Sequence, residues 1–170
     1  MKTKQLIAAS LLSAFAVNAN AQDLTVSITN LTQGLHFTPL IVGAHNADTS
    51  LFTVATTASS QLQMMAEGGD ISGLNTLLTD ATADVVANPA EGLLAPAATT
   101  QFSVMTADGN NHLSLTAMML PTNDGFVGLD SWMIPGEAGT YTIWLNAYDA
   151  GTEANDEMIV DGSGAPGMPG

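Results

Sequence analysis

Hydrophobic and polar residues alternate along much of the chain, and this pattern predicts short β-strands. The first such segment, 24–31, alternates apolar and polar residues and is rich in β-branched side chains. Similar segments occur at 37–42, 51–55, 100–106, 112–119, 126–133 and 140–148. Gly, Asn and Asp residues between them are typical of tight turns. The pattern predicts a mainly all-β fold, an antiparallel β-sandwich, because short strands with one apolar face must bury those faces against each other.

The segment 57–80 has a helical rather than a strand period. Apolar residues recur at helical spacing in two groups, namely Leu62, Met65 and Ala66, then Ile71, Leu74, Leu77 and Leu78. Gly68 is the predicted cap that ends the first helix, and Asp70 or Ser72 the predicted cap that begins the second. We therefore expect one or two short helices inserted among the strands. The segment 81–98, rich in Ala and Pro, shows no clear period and is predicted to be mostly loop.

The N-terminus has the features of a signal peptide. Lys2 and Lys4 precede an apolar run at 6–17, and the small residues at 19–21 form a cleavage site. The apolar run is too short to span a membrane, and the alternative of a buried N-terminal helix does not explain the order of these zones. We expect a signal peptide at 1–21, cleaved after Ala21, and a secreted protein that is periplasmic or extracellular.

The amino-acid composition limits the partners and the domain organisation of the chain. The sequence has 2 basic and 16 acidic residues, a formal charge of −14, and every acidic residue follows Ala21. Loss of Lys2 and Lys4 changes the charge to −14 − 2 = −16. A domain without Lys or Arg repels nucleic acid and anionic lipid. It has no cysteine, but a chain of this length can bury a core without disulfides. We predict one domain at 22–160 and a mobile Gly- and Pro-rich tail at 161–170.

The last two predicted strands form a hairpin that gathers acidic residues. With its turn centred near Glu137, Asp124 and Asp149 lie side by side at the open end. Gly151 permits a bend that returns Glu153 toward them. Three carboxylates this close raise a pKa or recruit a cation, and the mature chain offers no Lys or Arg. A hard ion with oxygen ligands, calcium before zinc or copper, fits these residues.

Other interpretations of the acidic residues stay open at this point. Asp and Asn are common in turns because they hydrogen-bond their own backbone. The nearby residues Asn123, Asn155, Asp156 and Glu157 are either further ligands or solvated loop positions. Asp130 lies about 20 Å along the strand from Asp124, too far to share an ion.

No enzyme motif emerges from the sequence. The three histidines, His36, His45 and His112, lack the spacing of a zinc site, and there is no cysteine or Gly-x-Ser-x-Gly nucleophile. Asp124 and Asp149 formally permit glycoside hydrolysis, but the tryptophans Trp132 and Trp144 are expected to be core or strand-pair residues rather than sugar platforms. We expect a protein that is not an enzyme.

Two segments resemble one known family. MMLPTNDGFVGLD at 118–130 and YDAGTE at 148–153 are similar to the spondin N-terminal domain, which also occurs alone in secreted bacterial proteins. The resemblance implies a C2-like β-sandwich that binds Ca²⁺ through Asp124, Asp149 and Glu153. In animal members the last position is commonly Asp, so the longer Glu changes the geometry there.

The function implied is a secreted calcium-binding module for binding or adhesion, with an extracellular glycan or protein surface as partner. The alternatives are a calcium-assisted extracellular hydrolase and a calcium-dependent membrane-docking domain.

Overall fold

The computed structural model describes residues 21–154, so residues 1–20 of the predicted signal peptide and the predicted tail lie outside the described residues. The elements in chain order are β1 (Asp23–Thr29), β2 (His36–Phe37), β3 (Ile41–His45), α1 (Ser60–Gly68), α2 (Ser72–Asp80), β4 (Asp84–Ala87), β5 (Thr99–Met105), β6 (His112–Leu120), β7 (Gly125–Met133) and β8 (Asn146–Asp149).

The strands form two antiparallel sheets. The small sheet pairs β1 with β5, and the large sheet has the order β4-β3-β6-β7-β8, with the short β2 also paired to β6. Strands make up about 36% of the structure, and two helices are inserted between β3 and β4. The expected mainly-β sandwich with short helical insertions is therefore confirmed.

The central strands of the large sheet are buried on both faces. Val42 and Ala44 of β3 belong to the core shared with the small sheet, whereas Ile41 packs in the core beneath the helices. In β6, Leu115 and Met118 divide between the same two cores. Consistent with this double burial, every residue of β3 and residues 113–118 of β6 are buried, rather than every second one.

The two helices cover the second face of the large sheet. Their inward residues are buried in one cluster with sheet residues, namely Leu62, Met65, Ala66, Leu74 and Leu78 against Ile41, Met118 and Phe126. The Ser59 hydroxyl caps α1 by accepting from Leu62 N at 3.1 Å. The helix ends at Gly68, and the residue with left-handed backbone is Gly69, one position beyond the predicted cap. Asp70 Oδ1 accepts from Ser72 N at 2.9 Å at the start of α2.

One strand prediction in the first half of the chain is wrong, and a predicted loop contains a strand. Residues 51–55 do not form a strand: Leu51 and Phe52 are buried in the helical core, and Ala55 adopts a left-handed φ of 64°, which interrupts extended backbone. Conversely, Asp84–Ala87, within the predicted loop, is strand β4 and pairs with β3. A strand of four residues is too short to show a period in a sequence rich in alanine.

The predicted strand 140–148 is correct only at its end, since β8 begins at Asn146. Its partner β7 pairs with it through Gly128. Just beyond this point the register between β6 and β7 shifts, and Ser131 has a φ of 53°. Such a bulge bends a strand away from its neighbour, so the pairing stops and residues 134–145 form a long connection instead of the expected tight turn.

Candidate functional site

The β7–β8 pairing brings the predicted site residues to one end of the large sheet. Gly125 faces Asp149, and Phe126 faces Tyr148, so the pairs are centred on position 137 as the sequence predicts. One residue before β7, the carbonyl of Asp124 accepts a hydrogen bond from Ala150 N at 3.2 Å. The two aspartates are thus offset by one residue in register across the pair.

The Asp124 carboxylate is buried and is held by the turn that follows β8. Its side chain is only 2% exposed. Oδ2 accepts from Thr152 N at 2.7 Å, from the Thr152 hydroxyl at 3.2 Å and from Glu153 N at 3.1 Å. Oriented backbone N–H groups of this kind stabilise a negative charge in the absence of a basic side chain. The turn of residues 149–153, which we call the acidic turn, therefore supplies part of the compensation that the sequence argument assigned to a metal ion.

The other two predicted ligands lie on the acidic turn itself. Asp149 is exposed, and its Oδ1 accepts from Gly151 N at 2.7 Å, which closes the bend. Gly151 has a φ of 69°, the left-handed conformation that the sequence anticipates there. Glu153 is half-buried, and its backbone N–H contacts Asp124. All three acidic residues are thus linked through the backbone of one turn.

The chemistry of these residues suits a hard cation, but the described part of the chain does not contain a finished metal centre. Within residues 21–154, no three His, Cys, Asp or Glu side chains are grouped so as to hold a metal ion. Asn123 donates through Nδ2 to the carbonyl of Ala154 at 2.9 Å, which ties the segment before β7 to the end of the turn. The further acidic positions Asp156 and Glu157, and Asn155, lie outside the described residues.

Asp130 has a separate structural role. Its carboxylate accepts from Leu51 N at 2.7 Å and from the Ser50 hydroxyl at 2.9 Å, so it anchors the loop that precedes the helices. Hydroxyls of Ser131 and Ser114 donate to it as well, at 2.9 and 3.2 Å. Sequence reasoning missed this anchor because its partners are 79 and 80 residues away in the chain.

His45 is a buried hydrogen-bonding residue. Its ring contacts the Asn46 carbonyl through Nδ1 and the Ser114 hydroxyl through Nε2, both at 2.7 Å. The ring of His112, the first residue of β6, stacks on it with centroids 6.2 Å apart. His45 and Ser114 are fully buried, which leaves a substrate no access to the Ser114 hydroxyl in this structure.

Two small clefts border the loop at 50–59. One, of about 70 Å³, lies between this loop and the start of the acidic turn, and Phe52, Phe126, Tyr148 and Asp149 contribute to its wall. These three aromatic rings pack with centroids 5.0 to 5.3 Å apart. The other cleft, of about 230 Å³, is lined mainly by hydroxyl and apolar side chains of the same loop.

The two tryptophans differ in burial. Trp132 is half-buried and packs against the core between the sheets, as the sequence suggests. Trp144 is 76% exposed, so its expected place in the core or in a strand pair is wrong. It falls in the irregular connection that replaces the first part of the predicted strand, where no sheet neighbour covers it.

The family of this chain is established by comparison with known proteins. The described residues contain no helix of the length and apolarity required to cross a membrane. A comparison with curated proteins finds no match. The model of the Spondin_N family matches residues 8–158, which begins inside the predicted signal peptide and includes all ten described elements. The match covers most of the sequence, and the chain belongs to the spondin N-terminal domain family.

Proposed function

We propose that this chain is a secreted, non-enzymatic module that binds calcium through Asp124, Asp149 and Glu153. Family membership supports an extracellular module of the binding or adhesion type in general. Beyond this general role, we propose that the module binds calcium and that these three residues hold the ion.

The observation that carries the proposal is the convergence of three acidic residues on one turn. Asp124 bonds the backbone of Thr152 and Glu153, and Asp149 begins the same turn. The backbone donors occupy Oδ2 of Asp124, while Oδ1 takes no hydrogen bond from the described residues. Carboxylate oxygens of this kind, with carbonyls and water, are the ligands that calcium takes in proteins.

Bound calcium would supply positive charge where the described chain has neither Lys nor Arg. It would link the segment before β7 to the acidic turn and stabilise the folded state by mass action. At a free concentration one hundred times Kd, this stabilisation is about 2.7 kcal/mol.

The test is thermal unfolding of the mature protein with calcium, magnesium or chelator. We expect calcium to raise the midpoint of the wild type and magnesium to raise it less, because magnesium gives up its water reluctantly. Asp149→Asn and Glu153→Gln should abolish most of the calcium shift. Their side chains are exposed or half-buried, so both variants should fold without the ion.

Glu137→Gln is the matched control, since it removes one exposed carboxylate from the opposite end of the β7–β8 pair. This variant should keep the full calcium shift. A midpoint that calcium leaves unchanged in the wild type, or raises equally in all four proteins, contradicts the proposed site.

A further inference from the structure

The connection between β7 and β8 carries exposed aromatic side chains. We call residues 134–145 the aromatic loop. Trp144 is 76% exposed and Tyr141 is 48% exposed. The neighbours of Trp144 in sequence, Ile143 and Leu145, are half-buried. Leu145 packs against the core between the sheets, so the alternation of the chain turns the indole of Trp144 outward.

Contacts within the molecule hold this loop in place. The Tyr141 hydroxyl donates to the carbonyl of Glu137 at 2.9 Å. The Tyr141 ring lies against Trp132, with centroids 6.3 Å apart and planes inclined by 60°, and Trp132 packs on the core. Ile134 is buried at the start of the loop, and its N–H donates to the Asn111 carbonyl at 2.8 Å. A large aromatic group on a loop fixed in this way loses little conformational freedom when a partner covers it.

The charge of the protein determines which partners suit this surface. No Lys or Arg occurs after Lys4, whereas all 16 acidic residues do, and Glu137 is an exposed acid on the aromatic loop itself. Such a surface repels anionic partners and attracts cationic ones. An indole face is also the best aromatic partner for an ammonium or guanidinium group. Charge complementarity and side-chain chemistry therefore favour the same class of ligand.

We propose that the aromatic loop docks a basic polypeptide segment, with a Lys or Arg side chain over Trp144 and the Glu137 carboxylate as its counter-charge. This deepens the proposed function by naming a partner class, and it rests on the binding-module part of that function but not on calcium. The aromatic loop and the acidic turn lie at opposite ends of the β7–β8 pair, so the two sites are expected to act separately.

The chain permits a direct measurement because Trp132 and Trp144 are its only tryptophans. Trp132→Phe leaves Trp144 as the single tryptophan of the protein. We titrate this variant and the wild type with a short synthetic peptide of alternating Arg and Gly. The emission of Trp144 should change, and the same peptide with Gln in place of Arg should leave it unchanged.

Affinity is then compared among variants by calorimetry. Trp144→Ala should weaken binding of the Arg peptide by roughly tenfold, which corresponds to about 1.4 kcal/mol and lies within the range of cation–π contacts. Glu137→Gln should weaken it by a smaller factor. Met105→Ala is the matched control: Met105 is 73% exposed on β5, and its removal should change nothing. A chelator should also leave the affinity unchanged, which separates this proposal from the calcium site.

Three results would overturn the proposal. Equal affinity of the wild type and Trp144→Ala would mean that the peptide responds to net charge alone. A change in Trp144 emission with a neutral oligosaccharide such as cellopentaose, but not with the Arg peptide, would assign the loop to a glycan. A dimer of the wild type in sedimentation that Trp144→Ala dissociates would assign it to a second copy of this chain.

Discussion

The two ends of the β7–β8 pair reverse the usual relation between polarity and burial. At one end the charged side chain of Asp124 is 2% exposed, and at the other the indole of Trp144 is 76% exposed. Charged groups are almost never fully buried unless paired, whereas single apolar side chains are common at protein surfaces. The buried charge has its partners within the chain, namely N–H groups of the acidic turn. The exposed aromatic group is the one that we propose a partner covers.

The largest expected effect is at Asp124. In the absence of calcium, Asp124→Ala leaves the N–H groups of Thr152 and Glu153 without their acceptor. We expect a loss of about 2–4 kcal/mol in the free energy of unfolding, because hydrogen bonds to a buried charge are strong and their loss leaves donors unsatisfied. Urea denaturation with chelator present measures it. Asp149→Ala, at an exposed position, should cost less than about 1 kcal/mol. Equal losses would show that the acidic turn does not hold Asp124.

The next largest effect concerns Asp130, a carboxylate of β7 that lies two residues beyond the last β7–β8 pair. Its removal in Asp130→Ala breaks the bonds from Leu51 N and the Ser50 hydroxyl. We expect a loss of about 1.5–3 kcal/mol. Amide hydrogen exchange should localise increased opening to residues 49–58. If all backbone amides of the domain exchanged faster to the same extent, Asp130 would not anchor that loop specifically.

Asp70, unlike the buried Asp124, is an exposed carboxylate that accepts a backbone hydrogen bond. The backbone hydrogen bond from Ser72, helped by the Ser72 side chain, lowers the pKa of Asp70 below its usual range. The resulting stability is present above the unfolded pKa of about 3.9 and is lost as the pH falls through the lower folded value. Asp70→Ala should therefore cost at most about 1 kcal/mol near neutral pH and progressively less below about pH 4. A difference independent of pH across that range would contradict this assignment.

The smallest effect on stability is expected at the aromatic end. Trp144→Ala removes an exposed side chain, so the free energy of unfolding should change by less than about 0.5 kcal/mol. Trp132→Ala, at a half-buried position against the core, should cost clearly more in the same urea experiment. A large loss for Trp144→Ala would mean that its indole serves the fold and would remove the reason for assigning it a partner.

The predictable parts of this fold are those in which local pattern and packing agree. The helices follow from the spacing of Leu62, Met65 and Leu74, and these residues are buried against the sheet as that spacing requires. The register of β7 and β8 follows from a turn centre near Glu137: Gly125 pairs with Asp149, and Asp124 lies one residue before this pair. Strand periodicity and hairpin symmetry are local properties, and a sequence records them directly.

The parts that could not be predicted depend on contacts distant in sequence. Leu51 and Phe52 are as apolar as strand residues, but they fill the helical core. The register shift near Ser131 lies just beyond the last β7–β8 pair, where Trp144 falls in an irregular connection, and strand periodicity does not reveal it. At the acidic turn, the sequence showed the negative charges but not the backbone donors that compensate Asp124.

The burial of β3 and β6 on both faces restricts where the sequence of this domain can change during evolution. A strand sandwiched between two hydrophobic layers tolerates few replacements, because each side chain fills space on one side or the other. New binding specificity is then most readily acquired in the loops at the two ends of the β7–β8 pair, namely the acidic turn and the aromatic loop. The residues of each loop can be replaced independently of the other loop, while the buried strands keep theirs.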